Sequence, residues 1–155
     1  FIGTHNATRL YTHTRNLLMK LKQEGYILIA ITYSIGAVAK PFAEQLGFDY
    51  ILCSEEIVES KRITGYLTFE GLTKGQALMQ IINDEGLLTK NSYGVGDTLS
   101  DASFLCLVEN PIAFNPEKYL RDVAIENGWP IIIERKDTIY QLDPKHPTEK
   151  INILK

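Results

Sequence analysis

Two aspartates four residues apart, Asp97 and Asp101, stand in the segment GVGDTLSD. Val95 ends a short apolar run and Gly96 permits a tight turn. Asp97 should therefore project from a strand end, with Asp101 on the same side of the first helical turn. Two carboxylates held close together repel unless a cation lies between them. An all-oxygen donor pair suits Mg²⁺ better than zinc. The plain alternative is helix capping by Asp97. Lys74, in GLTKGQAL, sits near a helix start, where the macrodipole disfavours a cation unless an anion faces it. A solvated surface lysine is the ordinary reading of such a residue. Thr32 lies near the end of ILIAITYS, and Tyr33, Ser34 and the helix opening at Gly36 follow it. A hydroxyl followed by backbone N–H groups can cradle an anion, although a threonine that only ends a strand needs no ligand. Taken together, the three places fit a phosphoryl site. Thr32, the backbone around Tyr33 and Ser34, and Lys74 would hold phosphoryl oxygens, while a metal at Asp97 and Asp101 neutralises developing charge.

These residues need a scaffold that brings strand ends together. Leu10, Leu17, Leu18 and Leu21 recur at helical spacing between Asn6 and Glu24, and Gly25 stops the run. YILIAITYS reads as a strand buried on both faces, as in a parallel sheet. A helix is expected from Gly36 to Leu46, with Gly47 as its cap and Pro41 as a possible kink or later start. A short strand follows at residues 50–54, then a small hairpin within 55–70, with the glycine of RITGYLTF as its turn. A helix at 73–85, a strand at 92–95, a helix to about Val108, a strand at 111–114, a helix at 116–126 and a strand at 131–133 complete the alternation. Pro116 suits a first helical turn. Strand and helix alternating with short loops predict an α/β fold: a three-layer sandwich with a mainly parallel, Rossmann-like sheet and helices on both faces. In such sheets ligands bind beyond the carboxyl ends of the strands, where all three candidate places fall. Residues 1–135 read as one core domain, and 136–155 as an edge strand in TIYQLD followed by a polar tail.

Composition excludes little but is consistent. The 155 residues carry a net charge of -3, which argues against a nucleic-acid partner. No apolar run is long enough to cross a bilayer, and no secretory leader opens the chain, so a cytoplasmic location is expected. Cys53 and Cys106 lie in apolar stretches and read as buried free thiols. His5, His13 and His146 lack ligand spacing and read as surface residues.

The series ILIAIT, GLTKGQAL and YGVGDTLSD resembles the second, third and fourth motifs of the haloacid dehalogenase superfamily. CSEEIVESKRITGYL and NPEKYLRDVAIENGWPII are similar to its phosphoserine phosphatase-like branch, subfamily IB. The resemblance spans about Leu21 to Ile133. It implies a Mg²⁺-dependent phosphatase of small phosphorylated metabolites, acting through an aspartyl-phosphate. Thr32 would be the phosphate-binding hydroxyl, Lys74 the lysine bridging nucleophile and phosphate, Asp97 a metal ligand and Asp101 its support. One motif departs. The family's DxDx[TV], which carries the nucleophile, should precede Thr32, and no DxD occurs in these residues. The chain also starts at Phe1 rather than Met. The expectation is therefore a longer protein whose upstream segment carries the nucleophilic aspartate, the middle strand and a cap domain, with these residues alone inactive. A second chain could equally complete the sheet. The competing reading is a non-catalytic pseudophosphatase used as a binding module. A response-regulator receiver domain is disfavoured, because its acidic residues come first and here they come last.

Overall fold

The computed structural model describes residues 10–135, 138–146 and, as backbone, 151–154. The chain divides into two compact units, 1–72 and 73–155.

In the first unit α1 (Thr12–Gln23) precedes β1 (Ile29–Ile35), α2 (Gly36–Leu46), β2 (Tyr50–Glu59) and β3 (Arg62–Thr68). Helix α1 starts within the expected span and buries Leu21; residues 1–9, including His5, lie outside the described residues. Helix α2 runs through Pro41 and ends on Gly47, whose φ of 75° is the left-handed conformation that a glycine cap adopts without strain. β1 pairs parallel with β2, and β2 pairs antiparallel with β3.

Three expectations change here. β1 is not buried on both faces: its residues are intermediate or exposed, and among the described residues its only neighbour is β2. β2 is twice the expected length, because its second half pairs with β3 as an extended ribbon. The hairpin turn is also not at Gly65, which pairs with Ile57 inside the ladder. It lies at Ser60 and Lys61, both at positive φ (49° and 63°), the backbone that a two-residue turn needs to match strand twist.

The second unit contains α3 (Lys74–Asp84), β4 (Tyr93–Gly96), a 3₁₀ turn at Leu99–Asp101, α4 (Ala102–Leu105), β5 (Asn110–Phe114), α5 (Lys118–Asn127), β6 (Ile131–Arg135), β7 (Thr138–Leu142) and β8 (Ile151–Leu154). The strand order follows the chain, β4-β5-β6-β7-β8. β4, β5 and β6 are parallel, and β7 and β8 are added antiparallel. TIYQLD therefore supplies an interior strand rather than the edge, since β8 pairs along it. Leu105, Ala113, Leu120, Ala124 and Ile131 are fully buried, and Phe104, Phe114 and Trp129 are nearly so. This core anchors the carboxyl ends of β4 and β5. The helix expected to reach Val108 is a single turn, closed by Cys106 N–H to Ala102 O and Leu107 N–H to Phe104 O. Cys106, as the residue ending that turn, is exposed, whereas Cys53 is buried. Pro116 stands just before α5 rather than in it, because Glu117 takes the N-cap position. Both units are of the α/β class, with mixed sheets.

Candidate active site

Lys74 is the first residue of α3, following Thr73 in a reciprocal capping box with Gln76. It is buried, at 7% exposure. Its Nζ lies 2.6 Å from Asp101 Oδ1. A cation buried at a helix N-terminus is unfavourable by itself, and Asp101 supplies the compensating anion.

Asp101 is equally buried, and both its oxygens are engaged. While Oδ1 meets Lys74, Oδ2 accepts the N–H of Asp97 at 2.9 Å, the N–H of Thr98 at 3.0 Å and the Thr98 hydroxyl at 3.1 Å. Burial would push the Asp101 carboxyl up. The Lys74 hydrogen bond, the two N–H groups and the lysine charge outweigh burial and hold it below the usual range. Gly96 makes this tuck possible, since a Cβ there would lie 2.4 Å from Asp101 Cβ. Gly75 plays a matching part: a Cβ would come within 2.3 Å of the Ser103 carbonyl. Its N–H donates instead to Ser103 Oγ at 3.0 Å, and Ser103 Oγ donates to Ser100 O. Ser103 thus ties the start of α3 to the aspartate loop. Sequence reasoning missed it, because a serine inside a helix carries no local signal of this role.

Asp97 differs from Asp101. Its side chain is exposed, at the carboxyl end of β4. Partial burial raises its pKa, the Asp101 charge and a hydrogen bond with Asp101 raise it further, and Lys74 opposes them. A carboxylate so raised gains from a cation. No group of three His, Cys, Asp or Glu residues able to hold a metal is present among the described residues. What this unit offers is one accessible carboxylate backed by a saturated one. That set suits Mg²⁺, which keeps several waters and takes only one or two carboxylates.

Thr32, Tyr33 and Ser34 belong to the first unit. The β1–β2 register jumps between Ile31–Leu52 and Ile35–Ser54, so Thr32, Tyr33 and Ser34 bulge out of the ladder. Bulges of this kind re-aim groups beside functional sites. Thr32 Oγ1 accepts the Ser34 N–H at 3.1 Å. The Tyr33 carbonyl is held by Ser54 Oγ at 2.8 Å, which also meets the Thr68 hydroxyl. The Ala37 N–H at the start of α2 donates to Glu56 Oε1 at 3.3 Å.

Each unit thus has an α/β fold that carries polar groups near the carboxyl end of a strand. A family model for haloacid dehalogenase-like hydrolases matches residues 3–105. The chain belongs to that family. Among curated relatives, a phosphoserine phosphatase of Methanocaldococcus jannaschii is 28% identical over 77% of this chain and 56% of its own length. The inhibition of morphological differentiation protein of Streptomyces azureus is 28% identical over 79% of this chain and 46% of its own. The chain thus spans about half the length of these relatives. A crystal structure of a phosphoserine phosphatase in apo form superposes with a TM-score of 0.64 at 25% identity, over 79% of this chain and 60% of that one. No helix among the described residues is long and apolar enough to cross a membrane.

Proposed function

We propose that the protein is a Mg²⁺-dependent phosphatase of a small phosphorylated metabolite, acting in the cytoplasm through an aspartyl-phosphate. The observation that carries this reading is the buried Lys74–Asp101 pair set behind the exposed carboxylate of Asp97. The reading assigns Thr32, Tyr33, Ser34 and Lys74 to the phosphoryl oxygens. Asp97 would be a ligand to Mg²⁺, with Asp101 supporting it from behind. The metal, when bound, supplies charge neutralisation and orientation of the phosphoryl group. The buried lysine keeps a fixed positive charge on the same anion, in surroundings where water screens it little.

The family relation and the phosphatases among the relatives support this reading. It places the attacking aspartate in the part of the relatives' length that these residues do not span. On this reading the 155 residues by themselves turn over no phosphomonoester, because a carboxylate must attack in line and Asp101 is already engaged.

The test is Mg²⁺-dependent hydrolysis of phosphoserine and of an aryl phosphate by the full-length protein that includes these residues, compared with its Asp97→Asn and Lys74→Ala variants. Both variants should lose at least about a hundredfold in kcat/KM, as when one oxyanion donor is removed. Asp97→Asn should also melt no lower than wild type. A folded pKa raised above the ordinary one stabilises only below that ordinary value and is lost as pH rises, so the ionised form is a burden at neutral pH. Wild-type turnover by Asp97→Asn would refute the assignment, and a wild type with no phosphatase activity would favour a pseudophosphatase.

A further inference from the structure

Glu117 stands at the N-cap of α5. The short side chains of Asp, Asn, Ser and Thr turn back onto their own helix from that position. Glu117 makes no such cap bond. Its Oε1 instead accepts the Leu99 N–H at 2.7 Å, and its own N–H donates to the Asp97 carbonyl at 2.8 Å. The two bonds run in opposite directions, and they grip the chain on either side of Thr98. Asp101 holds the N–H groups of Asp97 and Thr98 from within. Glu117 takes the next N–H and the Asp97 carbonyl, neither of which Asp101 uses. Asn115, at positive φ (44°), turns the chain out of β5 so that Glu117 reaches the loop. Its Oδ1 accepts the Glu134 N–H at 3.0 Å and fixes that corner to β6.

We propose that Glu117 is a positioning residue for Asp97: it completes the clamp that sets the carboxylate's direction toward Mg²⁺. The inference rests on the proposed function for what Asp97 binds, but not for the clamp itself. An exposed glutamate that only favours the helix dipole would leave the loop indifferent to its loss.

The test compares Glu117→Ala and Glu117→Gln in the protein. Amide hydrogen exchange at Leu99 reads the clamp without turnover, and Mg²⁺ calorimetry reads its consequence. Losing a hydrogen bond to a charged acceptor should speed Leu99 exchange about tenfold in the alanine variant, with Mg²⁺ affinity weakened about fivefold or more. The melting temperature should fall by only a few degrees, because one bond of an exposed side chain is lost. Glutamine keeps the accepting oxygen and should restore most of both readouts. Wild-type exchange and Mg²⁺ affinity in Glu117→Ala would overturn the proposal, as would a glutamine variant as impaired as alanine. If the wild type binds no Mg²⁺, the proposed function fails, while Leu99 exchange still decides the clamp.

Discussion

Replacing Asp101 by asparagine tests the centre of the site with almost no change in shape. The carboxylate now receives Lys74 at 2.6 Å on one oxygen, and two N–H groups and a hydroxyl on the other. An amide cannot satisfy both sides. If its oxygen faces the loop N–H groups, its NH₂ meets the lysine ammonium; if it is flipped, its NH₂ meets the loop N–H groups. Either way a lysine whose side chain is only 9% exposed loses its counter-charge. Breaking a buried pair from one side typically costs about 3–5 kcal/mol. For a chain of this size that lowers Tm by roughly 10 °C. The pH dependence carries a second check. Because the folded pKa of Asp101 is depressed, its stabilisation is present above the ordinary carboxylate value of about 3.9. It is lost as pH falls through the lower, folded value. Thermal melts followed by circular dichroism, from neutral pH into acid, should therefore show a large gap between wild type and Asp101→Asn at neutral pH. The gap should close in acid, where the wild type loses the same charge. Equal melting at neutral pH, or a gap that persists undiminished in acid, would mean that Asp101 does not carry the charge that holds Lys74.

Gly96→Ala puts a Cβ 2.4 Å from Asp101 Cβ and 2.9 Å from its Cγ, so the aspartate must leave its seat; urea unfolding should show a loss of about 1–3 kcal/mol, and an unchanged midpoint would mean the loop has room to spare. Thiol alkylation should modify Cys106 quickly and Cys53 only on unfolding, since Cys106 is exposed, Cys53 is buried, and burial and then Glu55 push the Cys53 thiol up. Peptide mapping that found Cys53 labelled first in the native protein would contradict this packing.

Much of this protein is legible from neighbours in sequence. The strand end beside Gly96, the aspartates four residues apart beyond it, a helix start near Lys74 and the glycine that ends α2 all follow from local spacing. A turn or a helical repeat has no other way to present those groups. The α/β class follows in the same way, because each apolar run is short enough for one strand and each periodic segment is long enough for one helix. What spacing could not decide is where each polar group finds its partner. Lys74 and Asp101 are 27 residues apart, and only the folded chain shows that the anion expected opposite the lysine is Asp101. That leaves Asp97 as the open carboxylate of the two. FNPEKY reads locally as a helix start, yet the Glu117 side chain goes to a loop 18 residues earlier. The bulge at Thr32, Tyr33 and Ser34 exists because β1 fits these three residues against the single Cys53 of β2 between its paired positions. The turn at Ser60 and Lys61 exists because ribbon twist demands positive φ at both, whatever their residue types. Hydrogen bonds between distant groups depend on how the chain folds back on itself. The residue types fix which bonds are possible, and the tertiary structure decides which are made.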